Sequence, residues 1–426
     1  MADLTLGAVT PLLQKAYDGD PVKTAFDHEM SDVFHSRCEL ESNGGGEAIA
    51  FEVISEGTAL ASPDYALAGG AMESFRFEIT PRNIHFRARV LRESMDSAKG
   101  KGSKALYNFM KMALDNAIGV AMRKLYRWEA AINGEIGVVT AVDGSTFTID
   151  TSLTNRLSED MVLVGAATNG SGNLNGADPG TEEVVESWND DTGVVTCTSA
   201  VSFSVGDTIW EKGDVYYNQA KPRAIAGAFG WCNPTAATNG ENFYGQDRYD
   251  HPRTLQPHRI SLSNIALRAA VLRLASRAYS KGIALDVAFI PTPQWTSFLE
   301  TSDAREIVNV SVTKMGSGNK AIVIGAQAIQ ISNGAGGSMD LLQWPYMLGG
   351  SILAGNSKKA PFKLMYTDKL VRLHTDGQDL WRRIEGGILD AGEYKPALEA
   401  EGDIRVCLIN KCPSKWIVGT GFTGAA

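Results

Sequence analysis

The stretch KALYNFMKMALDNAIGVAMRKLYRWEAAIN (residues 104–133) contains no proline and one glycine, Gly119. Leu106, Met110, Ala113, Ala117, Ala121, Leu125, Trp128 and Ile132 recur at three- and four-residue spacing, the mark of one helical face. A second row, Leu114, Ile118, Met122 and Tyr126, widens the apolar stripe. The spacing predicts a helix of about 45 Å, at ~1.5 Å per residue. Ser103 is its expected N-cap and Gly134 its expected terminator. Gly119 costs roughly 1 kcal/mol against alanine, so the periodicity must outweigh it. Heptad order is poor and the chain has no second helical pattern of this length, which argues against a coiled coil. The helix is therefore expected to lie across a sheet.

The sequence before it reads as an arm and strands. Residues 1–43 carry one helical pattern, with Asp20 as cap, Pro21 in the first turn and Val22, Phe26, Met30 and Val33 at helical spacing. EAIAFEVIS (47–55) alternates Ile49, Phe51 and Val53. SFRFEITPRNIHFRARVLRES (74–94) alternates Phe75, Phe77, Ile79, then Ile84, Phe86, Ala88 and Val90, with His85, Arg87 and Arg89 opposite. Together they read as one long two-stranded arm. Such an arm is marginal alone in water, and the chain offers no evident surface for it.

Charge divides the chain sharply. The total is −9 over 426 residues, yet residues 82–127 sum to +8, residues 1–50 to −6 and residues 135–212 to −11. The last segment is compositionally foreign. It reads as a small β unit of hairpins, GVVTAVDGSTFTID turning at Asp143-Gly144 and EEVVESWNDDTGVVTCT. Its two halves echo each other at an offset near 46 residues.

From residue 213 the pattern is mixed. Residues 261–282 read as a helix capped by Ser261 and stopped by Gly282, ALDVAFIP (284–291) as a buried strand, and Thr292-Pro293 as the opening of a short helix. Residues 320–332, 339–350, 369–375 and 402–412 read as strands, the last two returning to cover the long helix.

Few classes of chemistry survive inspection. Zinc-protease, nucleophile-elbow, phosphate-loop and CxxC motifs are absent. GTGFTG (419–424) matches a dinucleotide fingerprint by letters only, since two residues follow it and the motif needs a helix. His28, His35, His85, His251, His258 and His374 have neither ligand nor triad spacing, and the five cysteines read as reduced thiols. The EDM and NDD carboxylates sit in turns and read as solvated, with a calcium site as the alternative. No cofactor is implied. The N-terminus lacks signal-peptide character and no apolar run is long enough to span a membrane. The basic stretch 82–127 lacks the aromatic interleaving of a single-strand binder. Its charge is opposite in sign to that of the acidic arm, which makes Arg87, Arg89, Arg92 and Phe26 candidate contacts between subunits.

The order of these pieces, with LDVAFIPTPQWTSFL (285–299) in the mixed region, resembles the major capsid proteins of tailed bacteriophages, the Hong Kong 97-type fold. The resemblance implies an α+β subunit. Its parts would be an N-terminal arm (1–43), E-loop (44–92), P-domain with spine helix (93–134), inserted small all-β domain (135–212), A-domain (213–370) and returning P-domain strands (371–426). It implies a structural role without catalysis: hexamers and pentamers of an icosahedral shell around double-stranded DNA, held non-specifically. The short N-terminal region implies a separate scaffolding protein, and portal and decoration proteins are further implied partners. The implied location is the virion, assembled in the cytoplasm of a bacterial host. A bacterial encapsulin-type shell is the near alternative, and a β-rich hydrolase with a carbohydrate-binding insertion the distant one.

Overall fold

The structure, a computed structural model, describes residues 33–42, 49–54, 74–91, 103–166, 182–214, 223–240, 242–263, 265–300, 328–332, 337–374, 382–384 and 397–422. The expected arm helix, Phe26 and Arg92 lie outside these residues. The first strands are β1 (Glu39–Ser42), β2 (Ile49–Ile54), β3 (Ser74–Ile79) and β4 (Arg82–Leu91), followed by the long helix, Ser103–Ala130. The helix ends at Ala130, three residues short of the end expected before Gly134. Gly134 takes φ +78°, and the Glu135 carboxylate accepts the amides of Ile132 and Asn133, both at 2.7 Å. Met110, Leu114, Ile118, Met122, Leu125 and Tyr126 are fully buried, whereas Ala113 and Ala117 are half-buried. The second apolar row is thus the deeper one.

Seven short strands follow: β5 (Gly137–Val138), β6 (Ala141–Asp143), β7 (Thr146–Thr148), β8 (Val162–Ala166), β9 (Glu182–Trp188), β10 (Val194–Cys197) and β11 (Thr208–Glu211). They form one sheet in the order β5-β11-β8-β9-β10-β7-β6 over a core including Phe147, Leu163, Val185, Val195, Phe203 and Ile209. The echo seen in the sequence is structural. Val164 pairs with Trp210 and Thr148 with Val194, residues 46 positions apart facing each other. Gly137 pairs with Ile209 as Glu183 pairs with Leu163, again 46 positions apart on both sides. These registers define a pseudo-twofold relation between the halves. The first and last strands, β5 and β11, are neighbours, so the chain enters and leaves this unit at one place.

The remaining strands are β12 (Asn242–Phe243), β13 (Gln246–Asp247), β14 (His258–Ser261), β15 (Val287–Ile290), β16 (Ala328–Ser332), β17 (Ser338–Gln343), β18 (Ser351–Gly355), β19 (Phe362–His374), β20 (Arg382–Ile384), β21 (Ala397–Asn410) and β22 (Trp416–Thr420). A six-stranded mixed sheet runs β14-β22-β18-β15-β17-β16. Helices Leu267–Ser280 and Thr292–Glu300 accompany it, and Leu274, Ala278, Trp295, Leu341 and Ile417 share its core. Ser261 does not cap the first helix. It ends β14, paired with Thr420, and the helix begins six residues later from Ala266. Gly282, at φ +72°, follows its end as expected.

The second main sheet is built on β21. One edge of β21 pairs antiparallel with β4; the other pairs with β19 and β20, and β1 adds to β19 in parallel. At ~3.3 Å per residue, β21 spans about 46 Å, close to the ~42 Å of a 28-residue helix. Ile84, Phe86, Ala88 and Val90 of β4 and Ile404 and Val406 of β21 share one core with the helix.

Two expectations about the arm need correction. β4 does not extend the β2–β3 hairpin. Pro81 lacks an N–H for the ladder, and past it the chain passes to the β21 sheet. Nor does the hairpin base want for a surface. Phe51 and Phe77 lie 6.1 and 5.8 Å from the Trp231 ring, Phe75 lies 4.3 Å from the His251 ring, and the Gln246 side-chain amide donates to the Arg76 carbonyl at 2.9 Å. The apolar alternation is spent within the chain.

Candidate functional site: the charged faces around the long helix

The outer face of β4 carries a ladder of charge. Alternation puts His85, Arg87 and Arg89 away from the core, and register sets Asp403, Glu401 and Glu399 of β21 opposite them in turn. Arg87 Nε lies 2.7 Å from Glu399 and its Nη2 lies 2.7 Å from Glu401. On the far side, His374 Nε2 lies 3.1 Å from Asp403 and Arg372 Nε lies 3.9 Å from it. An acidic row therefore runs between two basic ones. Arg87 is 62% exposed whereas Glu399 is 3% exposed.

A second constellation is buried at the C-terminal end of the long helix. Lys124 Nζ lies 3.1 Å from Glu211 and 2.7 Å from Asp214. Arg127 donates to Glu211 and, at 3.0 Å, to Asp214, which also accepts the Trp128 indole N–H at 2.9 Å. Burial alone would raise the Glu211 carboxyl, but Arg127 and Lys124 together hold it below the usual range. For Asp214 burial wins, and its carboxyl sits above the usual range despite the same two cations. Arg127 is pushed above its ordinary value, because the two carboxylates outweigh burial.

Arg156 clamps the same junction from the other side. Its guanidinium donates to the carbonyls of Glu135 at 2.8 Å and of Tyr346 at 3.1 and 2.5 Å. Burial, with Arg127 adding to it, lowers this group to about 10 against the pull of Glu135 and Asp150. Ser152 Oγ accepts the Gly349 amide at 2.6 Å. The seven-stranded sheet is thus tied both to the long helix and to the loop after β17.

Ahead of β1, Phe34 stacks on Trp344 at 4.2 Å and meets Phe289 and Phe362 edge-on. Beside it His35 Nδ1 lies 2.6 Å from the buried Glu129 carboxylate. The segment entering the fold is pinned to the long helix.

Of the four residues singled out in the sequence, Arg87 and Arg89 lie on the exposed ladder. Arg87 has acidic partners in its own chain, on β21. Arg92 and Phe26 lie outside the described residues. Sequence reading missed Arg127, Arg156, Glu211 and Asp214, all bound into the junction. No group of three metal-binding side chains occurs among the described residues. Asp190 instead takes the Trp188 indole N–H and Asn189 caps the turn amides of Asp191 and Thr192. Cys197 is raised to about 11 by burial, Glu183 adding to it, and burial raises Cys407 to about 12. Neither thiol is poised as a nucleophile. No described helix is long and apolar enough to cross a membrane.

No protein-family model matches the sequence, and no curated protein matches it. Solved structures do. The chain is similar to the capsid chain of cyanophage A-1(L), at 11% identity over 93% of this chain and 95% of that one, with a TM-score of 0.49. The capsid chain of the native GTA particle follows at 8% identity, with 96% and 99% covered and a TM-score of 0.43. The holo-SrpI encapsulin complex of Synechococcus elongatus PCC 7942 matches at 8% identity, 96% of both chains and a TM-score of 0.41. The class of protein that the sequence resembles recurs among these matches.

Proposed function

We propose that this chain is the repeating subunit of a closed protein shell, a major capsid protein of the tailed-phage type with the Hong Kong 97 layout. The observation that carries the reading is the layout itself. One 28-residue helix is backed on a sheet whose strands come from both ends of the chain, β4 before it and β19 and β21 long after it. Between them hang a separate mixed sheet and a seven-stranded unit. The side-chain clusters of the described residues hold parts together and offer no reacting centre.

In this reading hexamers and pentamers of the chain enclose double-stranded DNA, assembled in a bacterial cytoplasm with a separate scaffolding protein and a portal, and with decoration proteins outside. Residues 135–212 are an inserted domain. Their charge of −11 favours the outer face, where counterions screen it and DNA phosphates do not oppose it. Arg89 and Arg92, with Phe26 of the acidic arm, are the contacts between subunits, together with Arg87, whose side chain stays exposed beside its own two carboxylates.

Analytical ultracentrifugation and electron microscopy of the purified chain, with and without the scaffold, test the reading. Capsomers or closed particles are expected, with far more than the ~1,600 Å² of a standard interface buried per subunit. A stable monomer under both conditions would sink it.

A further inference from the structure

Helix Leu267–Ser280 covers one face of the six-stranded sheet, and the long helix lies toward the other. Ala288, Leu341 and Ile417 share a core with the shorter helix, whereas Phe289, Leu342 and Val418, one residue on along the same strands, belong to the core of the long helix. Val271, Leu274 and Ala278 are the inward residues of Leu267–Ser280. Its outer face carries two lines of side chains. Leu272 and Tyr279, two turns apart, are 45% and 59% exposed. Beside them Arg273 and Arg277 stand at a four-residue spacing that Lys281 continues, and all three are exposed. None of the three has an acidic partner among the described residues. Arg277 and Lys281 instead add their charge to that of Lys415 and Arg259 around His258. Large apolar side chains exposed within charge of one sign mark a surface that receives another.

The chain itself holds a surface of matching chemistry. On β9, Glu183 and Val185 are buried, and the opposite face presents Glu182 and Glu186 exposed, with Val184 and Trp188 half-buried between and beyond them. Glu182 pairs with Lys212 at 2.7 Å, whereas Glu186 has no basic partner among the described residues. Exposed Asp160 lies beside the strand, its amide donating to the Val185 carbonyl at 3.0 Å. The spacings agree. Arg273 to Lys281 spans about 12 Å along a helix, and Glu182 to Glu186 about 13 Å along a strand. Within one subunit the seven-stranded unit is tied to the long helix through Arg127 and Glu211, on the sheet face opposite Leu267–Ser280. The acidic surface that meets this helix therefore comes from another copy. We propose that the outer face of helix Leu267–Ser280 docks on the outer face of β9 in a second copy of the chain, Leu272 and Tyr279 against Val184 and Trp188, and Arg277 against Glu186. The proposal rests on the shell reading, which supplies the neighbouring copies, and it gives the charge of −11 on residues 135–212 a specific partner.

Two experiments on the full chain test it. In the first, ordinary and nitrogen-15-labelled chains are assembled together and treated with a carbodiimide, which joins an amine to a carboxylate in contact. Mass spectrometry should find Lys281 of one isotope joined to Glu182, Glu186 or Asp160 of the other. Joins of Lys281 only within one isotope, only to carboxylates outside residues 135–212, or none at all overturn the proposal, the face then receiving another partner or DNA. In the second, Arg277→Glu sets like charges opposite each other and should raise the chain concentration needed for assembly by about tenfold. Adding Glu186→Lys to that variant should restore most of the loss, which a merely local effect of Arg277 would not allow. Assembly that Arg277→Glu leaves unchanged, or a loss that Glu186→Lys deepens, overturns the interface while particles of the unaltered chain keep the shell reading. An unaltered chain that stays monomeric overturns both.

Discussion

The two ends of the long helix's surroundings hold the same chemistry in different solvents. On the outer face of β4, Arg87 bridges Glu399 and Glu401 with its side chain 62% exposed. At the helix C-terminus, Arg127 bridges Glu211 and Asp214 with its side chain 5% exposed. Each arginine binds two carboxylates. Water screens the first set and side-chain entropy opposes it, so such pairs contribute little. Around the second, the charges cannot return to water without unfolding, and removing one strands the others. The ladder is therefore available for contacts with other molecules. The junction is a structural rivet.

The largest expected effect breaks the rivet. Arg127→Met leaves Glu211 and Asp214 with Lys124 alone, and the loss expected for a broken buried pair is about 3–5 kcal/mol. Urea unfolding of the full chain reads it as a lower midpoint. Adding Asp214→Asn to that variant should recover part of the loss, since one uncompensated carboxylate is gone while an acceptor for the Trp128 N–H remains. Equal midpoints for the single and double variants would mean that Arg127 stabilises by packing. The same network bears on deleting residues 136–212. A linker in their place removes Glu211 and Arg156 together, so it leaves Arg127 short of a partner at the stump. A deletion that keeps Glu211 should be the more soluble of the two, as measured by the soluble fraction on expression.

The contrast also marks what the sequence could tell. The long helix was legible because twelve apolar residues follow its period, and β4 because its alternation is unbroken from Ile84 to Val90. The echo of residues 135–212 was legible because hydrogen-bond register preserves a fixed offset. The partner of Arg87 was not. Nothing local says that residues more than 300 positions later lie beside it. A signal did exist: Glu399, Glu401, Asp403 and Arg405 alternate on one strand face, and a strand taken to begin at Gly402 cuts off its acidic half. Ser261 misled for a similar reason, since a serine before an apolar run caps a helix or ends a strand equally well. The hairpin base misled because the aromatic patch that receives it, Trp231 with Phe243 and Tyr244, is assembled from a turn of helix and a two-stranded ribbon too short to show periodicity.

A smaller effect is expected on the ladder. Arg87→Gln should cost about 0.2–1 kcal/mol of subunit stability, and the difference from wild type should shrink with added salt as exposed pairs are screened beyond ~8–10 Å. A loss as large as that of Arg127→Met, unchanged by salt, would erase the distinction drawn between the two sites and would mean that the buried Glu399 governs the ladder. If the shell reading holds, the same substitution weakens assembly more than it weakens the subunit, and sedimentation against salt separates the two effects.

The smallest effect probes a charge group intermediate between these extremes. His258 on β14 is half-buried, and its ring is held below the ordinary histidine value first by burial and then by Lys281, Arg277, Lys415 and Arg259. A base with a depressed folded pKa favours the neutral form in the native state. Its contribution is complete above the unfolded value near 6.5 and is lost as pH falls toward the folded value, because the unfolded chain takes the proton first. Lys281→Gln removes the cation that acts most strongly on His258 and leaves burial untouched. The His258 titration, followed by NMR of the imidazole protons, should move upward toward 6.5 without reaching it. The pH window in which stability falls should narrow with it. A titration that does not move would show that water already screens Lys281, as it does Arg87. A titration that reaches the ordinary value would do the opposite, and place this cluster with the buried junction, where charge outweighs solvent.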